Sequence, residues 1–288
     1  MFYFSHILTM KITTRLLTFL GICLALPSTH LCHNVVKPGS VSVEPVSNRT
    51  AVQTQAVDGR IFGGVEVEPH SRPYLVALLV DGRSLCGGSL ISLNFVLTAA
   101  HCTISASYVE LVFGAHNILI NESTQLRVTS SSIINHVDFN SSNYINDISL
   151  IKIPSPIVPN DHIQAVNLAP ASAGSYTGFG ARLSGWGITS NSNSSIPSGL
   201  HEVQLVVMGN SPCEDIYGPD VVQPSKLCTY GFGTVGGCSG DSGSPLVVGF
   251  TQVGITSFVS SNGCESGDPT GFTRISYYIP WIRENSDV

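Results

Sequence analysis

Charge is scarce in this chain of 288 residues: Asp, Glu, Lys and Arg together make up only 11%. That poverty argues against a coiled coil or a disordered chain, both of which are rich in charge. No basic run occurs from residue 61 onward, where 8 Lys and Arg stand against 17 Asp and Glu, a balance of −9. Nucleic acid is therefore not an expected partner, and the acidity is read as serving solubility. Long apolar runs are lacking too. The stretch 16–26 has eleven residues, well short of the roughly 20 that a membrane span needs, and no second such segment follows. No two cysteines are spaced Cys-x2-4-Cys, so a zinc site reads poorly. No internal repeat is visible, and one convincing helix is predicted, at about 276–285, with Pro280 in its opening turn.

What is present begins with an export pattern. Lys11 and Arg15 precede the apolar stretch 16–26, and Met10 is an alternative start. This reads as a signal segment over about 1–28, followed at 29–60 by an extended leader rich in Val, Ser, Pro and Thr. Export implies disulfides. Of eight cysteines, Cys23 falls in the signal and Cys32 just after it, leaving an even six whose connectivity has 15 solutions from sequence alone. From residue 61, short apolar segments alternate with turn residues. Examples lie at 74–80, 95–98, 109–113, 148–153, 201–207, 246–248, 253–256 and 271–275, a spacing that predicts an all-β barrel or sandwich.

Three neighbourhoods carry the chemistry. Gly237-Cys238-Ser239-Gly240-Asp241-Ser242-Gly243 exposes a serine on a Gly-rich turn. Leu97-Thr98-Ala99-Ala100-His101-Cys102 presents a histidine, and Asn146-Asp147-Ile148-Ser149-Leu150 an aspartate. A serine hydroxyl is a weak nucleophile until a base takes its proton, and the base needs a carboxylate to hold it in the right tautomer. From residue 61 to its end the chain resembles the chymotrypsin/trypsin family of serine endopeptidases. An esterase of the α/β-hydrolase class fails on chain order, because that fold puts serine first and histidine last.

The resemblance implies an all-β fold of two six-stranded antiparallel β-barrels with a short C-terminal helix, and an active site between the barrels. It implies Ser242 as nucleophile, His101 as general base and Asp147 as its partner, with the N–H groups of Gly240 and Ser242 as oxyanion hole. It pairs Cys86 with Cys102, Cys213 with Cys228, and Cys238 with Cys264. Cleavage after Arg60 would free the Ile61 amino group to pair with Asp241 and order the site of a protease domain at 61–288; Phe62 stands where Val is more usual. Trp186 is read as packing only. No metal and no cofactor are expected, because the family's calcium loop would place Ala115 and Gln125 where carboxylates belong. His70, His116, His136, His162 and His201 are read as surface or structural.

Specificity follows from the same likeness. Gly236 stands at the pocket base where trypsin-like enzymes carry Asp, so a preference for Lys or Arg is not expected. Val259, two residues past Ser257, and Thr270 match the pocket walls and resemble those of pancreatic elastases. The reading is a secreted, extracellular endopeptidase cutting after small aliphatic residues. A chymotrypsin-like preference for Phe, Tyr or Leu stays open, and an inactive homologue acting as a binding cofactor is a remote third. Expected partners are protein or peptide substrates, a trypsin-like activating protease and protein inhibitors; the enzyme is expected to be a monomer that binds no membrane. Sequons at Asn48, Asn121, Asn140 and Asn193 are candidate glycosylation sites.

Overall fold

The computed structural model describes residues 64–188, 195–230 and 235–288. The signal and leader, with Cys23, Cys32, Asn48 and Arg60, lie outside the described residues, as do Ile61, Phe62 and Asn193. The first half contains β1 (Val65–Glu66), β2 (Leu75–Val80), β3 (Ser84–Leu90), β4 (Phe95–Thr98), α1 (Ala100–Thr103), β5 (Val109–Phe113), β6 (Leu126–Ser130), β7 (Ile133–Asn135) and β8 (Ser149–Lys152). The second contains β9 (Asn167–Leu168), β10 (Gly180–Gly185), β11 (His201–Met208), α2 (Asn210–Tyr217), β12 (Lys226–Tyr230), β13 (Pro245–Val248), β14 (Thr251–Phe258), β15 (Thr270–Arg274) and α3 (Ile275–Asn285).

Two sheets result. In the second half, β11, β10, β13, β14, β15 and β12 pair in that order, and β12 returns to β11 through Val206 opposite Tyr230, closing a six-stranded barrel. The first-half sheet runs β6-β5-β2-β3-β4-β8-β7. It has seven strands where six were expected, and among the described residues no ladder joins its two edges. Single bonds instead tie the end of β6 to β8: Ser130 Oγ donates to Lys152 O at 2.6 Å and Lys152 N to Ser132 O at 2.9 Å. The architecture is thus a closed barrel beside a half-barrel, the double-barrel arrangement of an all-β protein.

The cores explain the pairing. Val76, Leu78, Leu90, Val96, Leu111, Phe113 and Ile151 fill the first barrel. A larger cluster joins Leu97, Ile148 and Leu150 of that barrel to Leu183, Leu246, Phe272, Ile279 and Ile282 from the second half. Each such side chain contributes about 1.5–3 kcal/mol when fully buried, and here the contribution also locks the barrels together. Gly87 in β3 permits the closest approach, because a Cβ there would lie 1.9 Å from Ser244 Oγ. Through that gap Gly87 N donates to Ser242 O at 2.7 Å.

Two helical expectations are corrected. α2 was not foreseen. It carries Pro212 near its start, buries only Cys213 and has no apolar stripe; the Cys213–Cys228 disulfide ties it to β12 instead. α3 begins at Ile275, so Pro280 sits inside the helix rather than in its opening turn. The exposed Pro280 ring faces away from the core, where Tyr278, Ile279 and Ile282 hold the helix down.

Candidate active site

The antiparallel pairing of β4 with β8 sets Thr98 opposite Ser149. His101 follows β4 by three residues and Asp147 precedes β8 by two, so both arrive at one end of the sheet. His101 Nδ1 lies 2.8 Å from Asp147 Oδ2, and the His101 backbone N–H donates to Oδ1 at 2.9 Å. Asp147 is wholly buried. Burial pushes its carboxyl up, but bonds from His101 and Ser257 and the nearby Lys226 charge outweigh that and hold it below the usual carboxylate range.

Ser242 reaches the same place from the other barrel. With His101 it lines a cleft of about 250 Å³ that also includes Tyr144, Ser257, Phe258 and Val259. Around it the backbone is organised by alternation: Asp241 N donates to Cys238 O and Gly243 N to Thr256 O. Among the described residues, the N–H groups of Gly240 and Ser242 have no acceptor. Gly240 has φ +99°, where other residues are strained, and a Cβ on it would press to 2.9 Å from Gly187 Cα.

Asp241 is fully buried beneath this turn and accepts from Cys238 N at 3.0 Å and Gly187 N at 2.9 Å. Burial raises its pKa to about 6, those two bonds acting in the opposite direction. The two glycines on either side of Trp186 make room for the carboxylate, since a Cβ on Gly185 or Gly187 would overlap it. Trp186 itself is buried and donates Nε1–H to His116 O at 2.9 Å.

The four residues expected to set specificity divide. Ser257 and Val259 line the cleft. Gly236 and Thr270 lie buried and adjacent: Thr270 Oγ1 accepts from Gly237 N at 3.3 Å and stands 2.9 Å from where a Gly236 Cβ would be. Ser257 has a further role that the sequence did not disclose. A register shift between β14 and β15 at Thr256/Phe258 frees it from the ladder, and its hydroxyl donates to Asp147 Oδ2 at 2.6 Å. Bulges re-aim side chains in this way.

Among the described residues three disulfides form, Cys86–Cys102, Cys213–Cys228 and Cys238–Cys264. In the chain-entropy account, bridges closing loops of 15 to 26 residues stabilise by about 3 kcal/mol each. Asn121 and Asn140 are exposed on loops. Among the described residues no group of three His, Cys, Asp or Glu could hold a metal ion. In the loop 116–125 the Gln125 amide donates to Asn117 O, Ile120 O and Glu122 Oε2, occupying oxygens that a cation would need. His70 packs against His162 and His116 at ring distances of 4.7 and 6.5 Å, a grouping that sequence separation had hidden.

Two abutting antiparallel barrels that bring a serine, an imidazole and a buried carboxylate to one cleft define a serine protease. Residues 61–282 match the family model described as Trypsin. A brachyurin from Leptuca pugilator is 40% identical over 228 residues, 79% of this chain and 99% of that protein. A chymotrypsin from Phaedon cochleariae is 34% identical over 283 residues, 96% of this chain and 99% of that protein. Among solved structures, HL collagenase superposes with a TM-score of 0.72 at 34% identity, covering 79% of this chain and 99% of that one. GrC gives 0.73 at 32% identity, covering 79% and 100%. The chain belongs to the trypsin family and is a serine endopeptidase.

Proposed function

We propose that the enzyme is secreted as a zymogen, is activated by cleavage after Arg60, and cuts peptide bonds after small aliphatic residues. His101 Nε2 takes the Ser242 proton as Oγ attacks the scissile carbonyl, while Asp147 holds the imidazole through Nδ1. The N–H groups of Gly240 and Ser242 stabilise the oxyanion. His101 then protonates the departing amine, and water releases the acyl group by the same route in reverse. The observation that carries this reading is His101, paired with Asp147 at 2.8 Å, lining the cleft that holds Ser242.

Activation is argued from Asp241. Its folded pKa of about 6 lies above the ordinary 3.8. The stability linked to that rise is full below about pH 4 and is lost as pH climbs through about 6, where an unpartnered charge is buried. An Ile61 ammonium would offset the loss. Purified precursor alone should stay intact, since among the described residues no carboxylate lines the cleft to receive Arg60, while trace trypsin should yield a chain starting at Ile61. Cleavage should raise the thermal midpoint more near pH 7.5 than near pH 4. Self-maturation at Arg60, or an equal gain at both pH values, would contradict this.

The small-residue preference draws support from Val259 in the cleft wall and from Thr270 packed against Gly236. Steric exclusion of this sort discriminates by a few kcal/mol at most. A peptide panel varied only at the residue before the scissile bond should give kcat/KM for Ala or Val at least about tenfold above Phe. Preference for Phe would favour the chymotrypsin-like alternative, and preference for Arg would defeat both. Replacing Val259 and Thr270 together by Gly should move preference toward larger side chains.

A further inference from the structure

Lys226 is a fully buried lysine at the start of β12. Its Nζ donates to Tyr144 O, to Ser257 Oγ at 3.1 Å and to Thr273 Oγ1 at 3.4 Å. The two hydroxyls spend their own protons on the aspartate. Ser257 donates to Asp147 Oδ2, and Thr273 donates to Asp147 O at 2.8 Å. Both must therefore accept from Lys226, and the Tyr144 carbonyl can only accept. Three acceptors need three N–H groups, which an ammonium has and a neutral amine lacks. The cage is built for the cation. Tyr144 in turn sets its ring edge-on to His101 at 5.7 Å, so both ends of the His101–Asp147 pair are tied to one nitrogen.

We propose that Lys226 is a positioning residue for the catalytic pair: its ammonium orients the Ser257 and Thr273 hydroxyls toward Asp147 and sets a positive charge behind that carboxylate. The inference rests on the serine-protease mechanism and is independent of the pocket reading. Its electrostatic direction follows from charge alone. A cation behind Asp147 weakens the pull of that carboxylate on a protonated imidazole, so removing it should carry the acid limb of activity to higher pH. Asp147 faces Lys226 from the first barrel and Phe258 from β14, its ring 5.7 Å away. Arg274 on β15 turns its guanidinium to the Lys226 carbonyl at 3.0 Å, and Tyr278 on α3 bonds Asn146 beside Asp147. Burial draws the Lys226 pKa down to about 8 while Asp147 draws it up, so the cation is present at neutral pH and below.

The test uses the cleaved enzyme with active sites counted by an organophosphate. In Lys226→Met the acid limb of the kcat/KM profile should move up by about half a pH unit. Plateau kcat should fall about tenfold with KM nearly unchanged. A folded, titratable variant whose acid limb stays in place overturns the inference; an unaltered enzyme that the reagent does not label sinks the mechanism itself. A second readout needs no variant. From residue 61 onward the chain has only two lysines, Lys152 and Lys226, so [15N]lysine labelling yields two Nζ signals. The signal of buried Lys226 should shift across the acid limb of activity while that of exposed Lys152 stays still. Two signals flat across the acid limb would overturn the inference even if Lys226→Met failed to fold.

Discussion

Ser242→Ala is expected to lower kcat for peptide hydrolysis by about 10⁶-fold, the size of loss that removing the serine of a Ser-His-Asp triad causes. The fold should survive the change. The Ser242 carbonyl, which accepts from Gly87 N across the barrel junction, remains in alanine. Asp241 keeps its bonds to Cys238 and Gly187. Thermal unfolding should shift by no more than about 2 °C, as for a change outside the packed core. Single-turnover assays on a peptide substrate, read beside circular dichroism, check both halves. Residual activity within about 10²-fold of the unaltered enzyme would mean that another group attacks the substrate.

The second large effect falls on Asp147→Asn, for which kcat near pH 7 should drop by about 10⁴-fold, the size of loss that the same replacement causes in the Ser-His-Asp triad of this enzyme family. The local geometry supplies the reason. Asp147 accepts from the His101 backbone, from His101 Nδ1 and from Ser257 Oγ, all within 2.9 Å. An amide offers one oxygen where the carboxylate offers two, and its N–H groups then face donors. The imidazole is driven to the tautomer that carries its proton on Nε2, where it can no longer accept from Ser242. Stability should suffer as well. The carboxyl is held below its ordinary 3.8, so its stabilisation is present above that value and lost as pH falls through the lower folded one. The deficit of the variant in thermal midpoint should therefore be clear at neutral pH and shrink as pH falls below 3.8.

Much of the β framework could be read from local pattern. The segments predicted at 95–98 and 109–113 coincide with β4 and β5, and that predicted at 201–207 differs from β11 by one residue. These strands alternate or concentrate apolar residues enough for periodicity to mark them. α2 escaped because its stability lies in a disulfide rather than an apolar face. The half-open first barrel escaped because its closure depends on Ser130, Ser132 and Lys152, whose hydrogen bonds leave no trace in hydropathy.

The candidate site divides in the same way. His101, Asp147 and Ser242 stood out because each sits in a short neighbourhood of telling composition. The polar cage behind them did not. Lys226 is a single lysine beside Leu227 and Cys228, and a lone lysine ordinarily signals solvent. Its burial depends on long-range pairing: β12 runs beside β15 with Lys226 opposite Thr273, and the irregularity at Ser257 turns that hydroxyl inward. The one signal in the sequence was the placement of a lysine in a strand whose neighbours are apolar. Likewise His70, His116 and His162 come together only through folding.

The most direct measurement is intact-mass analysis of the trypsin-cleaved enzyme after treatment with an active-site organophosphate, followed by peptide mapping. The account predicts one phosphoryl adduct per molecule, located on Ser242, with activity lost in proportion to labelling. The Ser242→Ala variant should take up none. Absence of an adduct from fully cleaved, folded enzyme, or labelling at a serine other than Ser242, would contradict it.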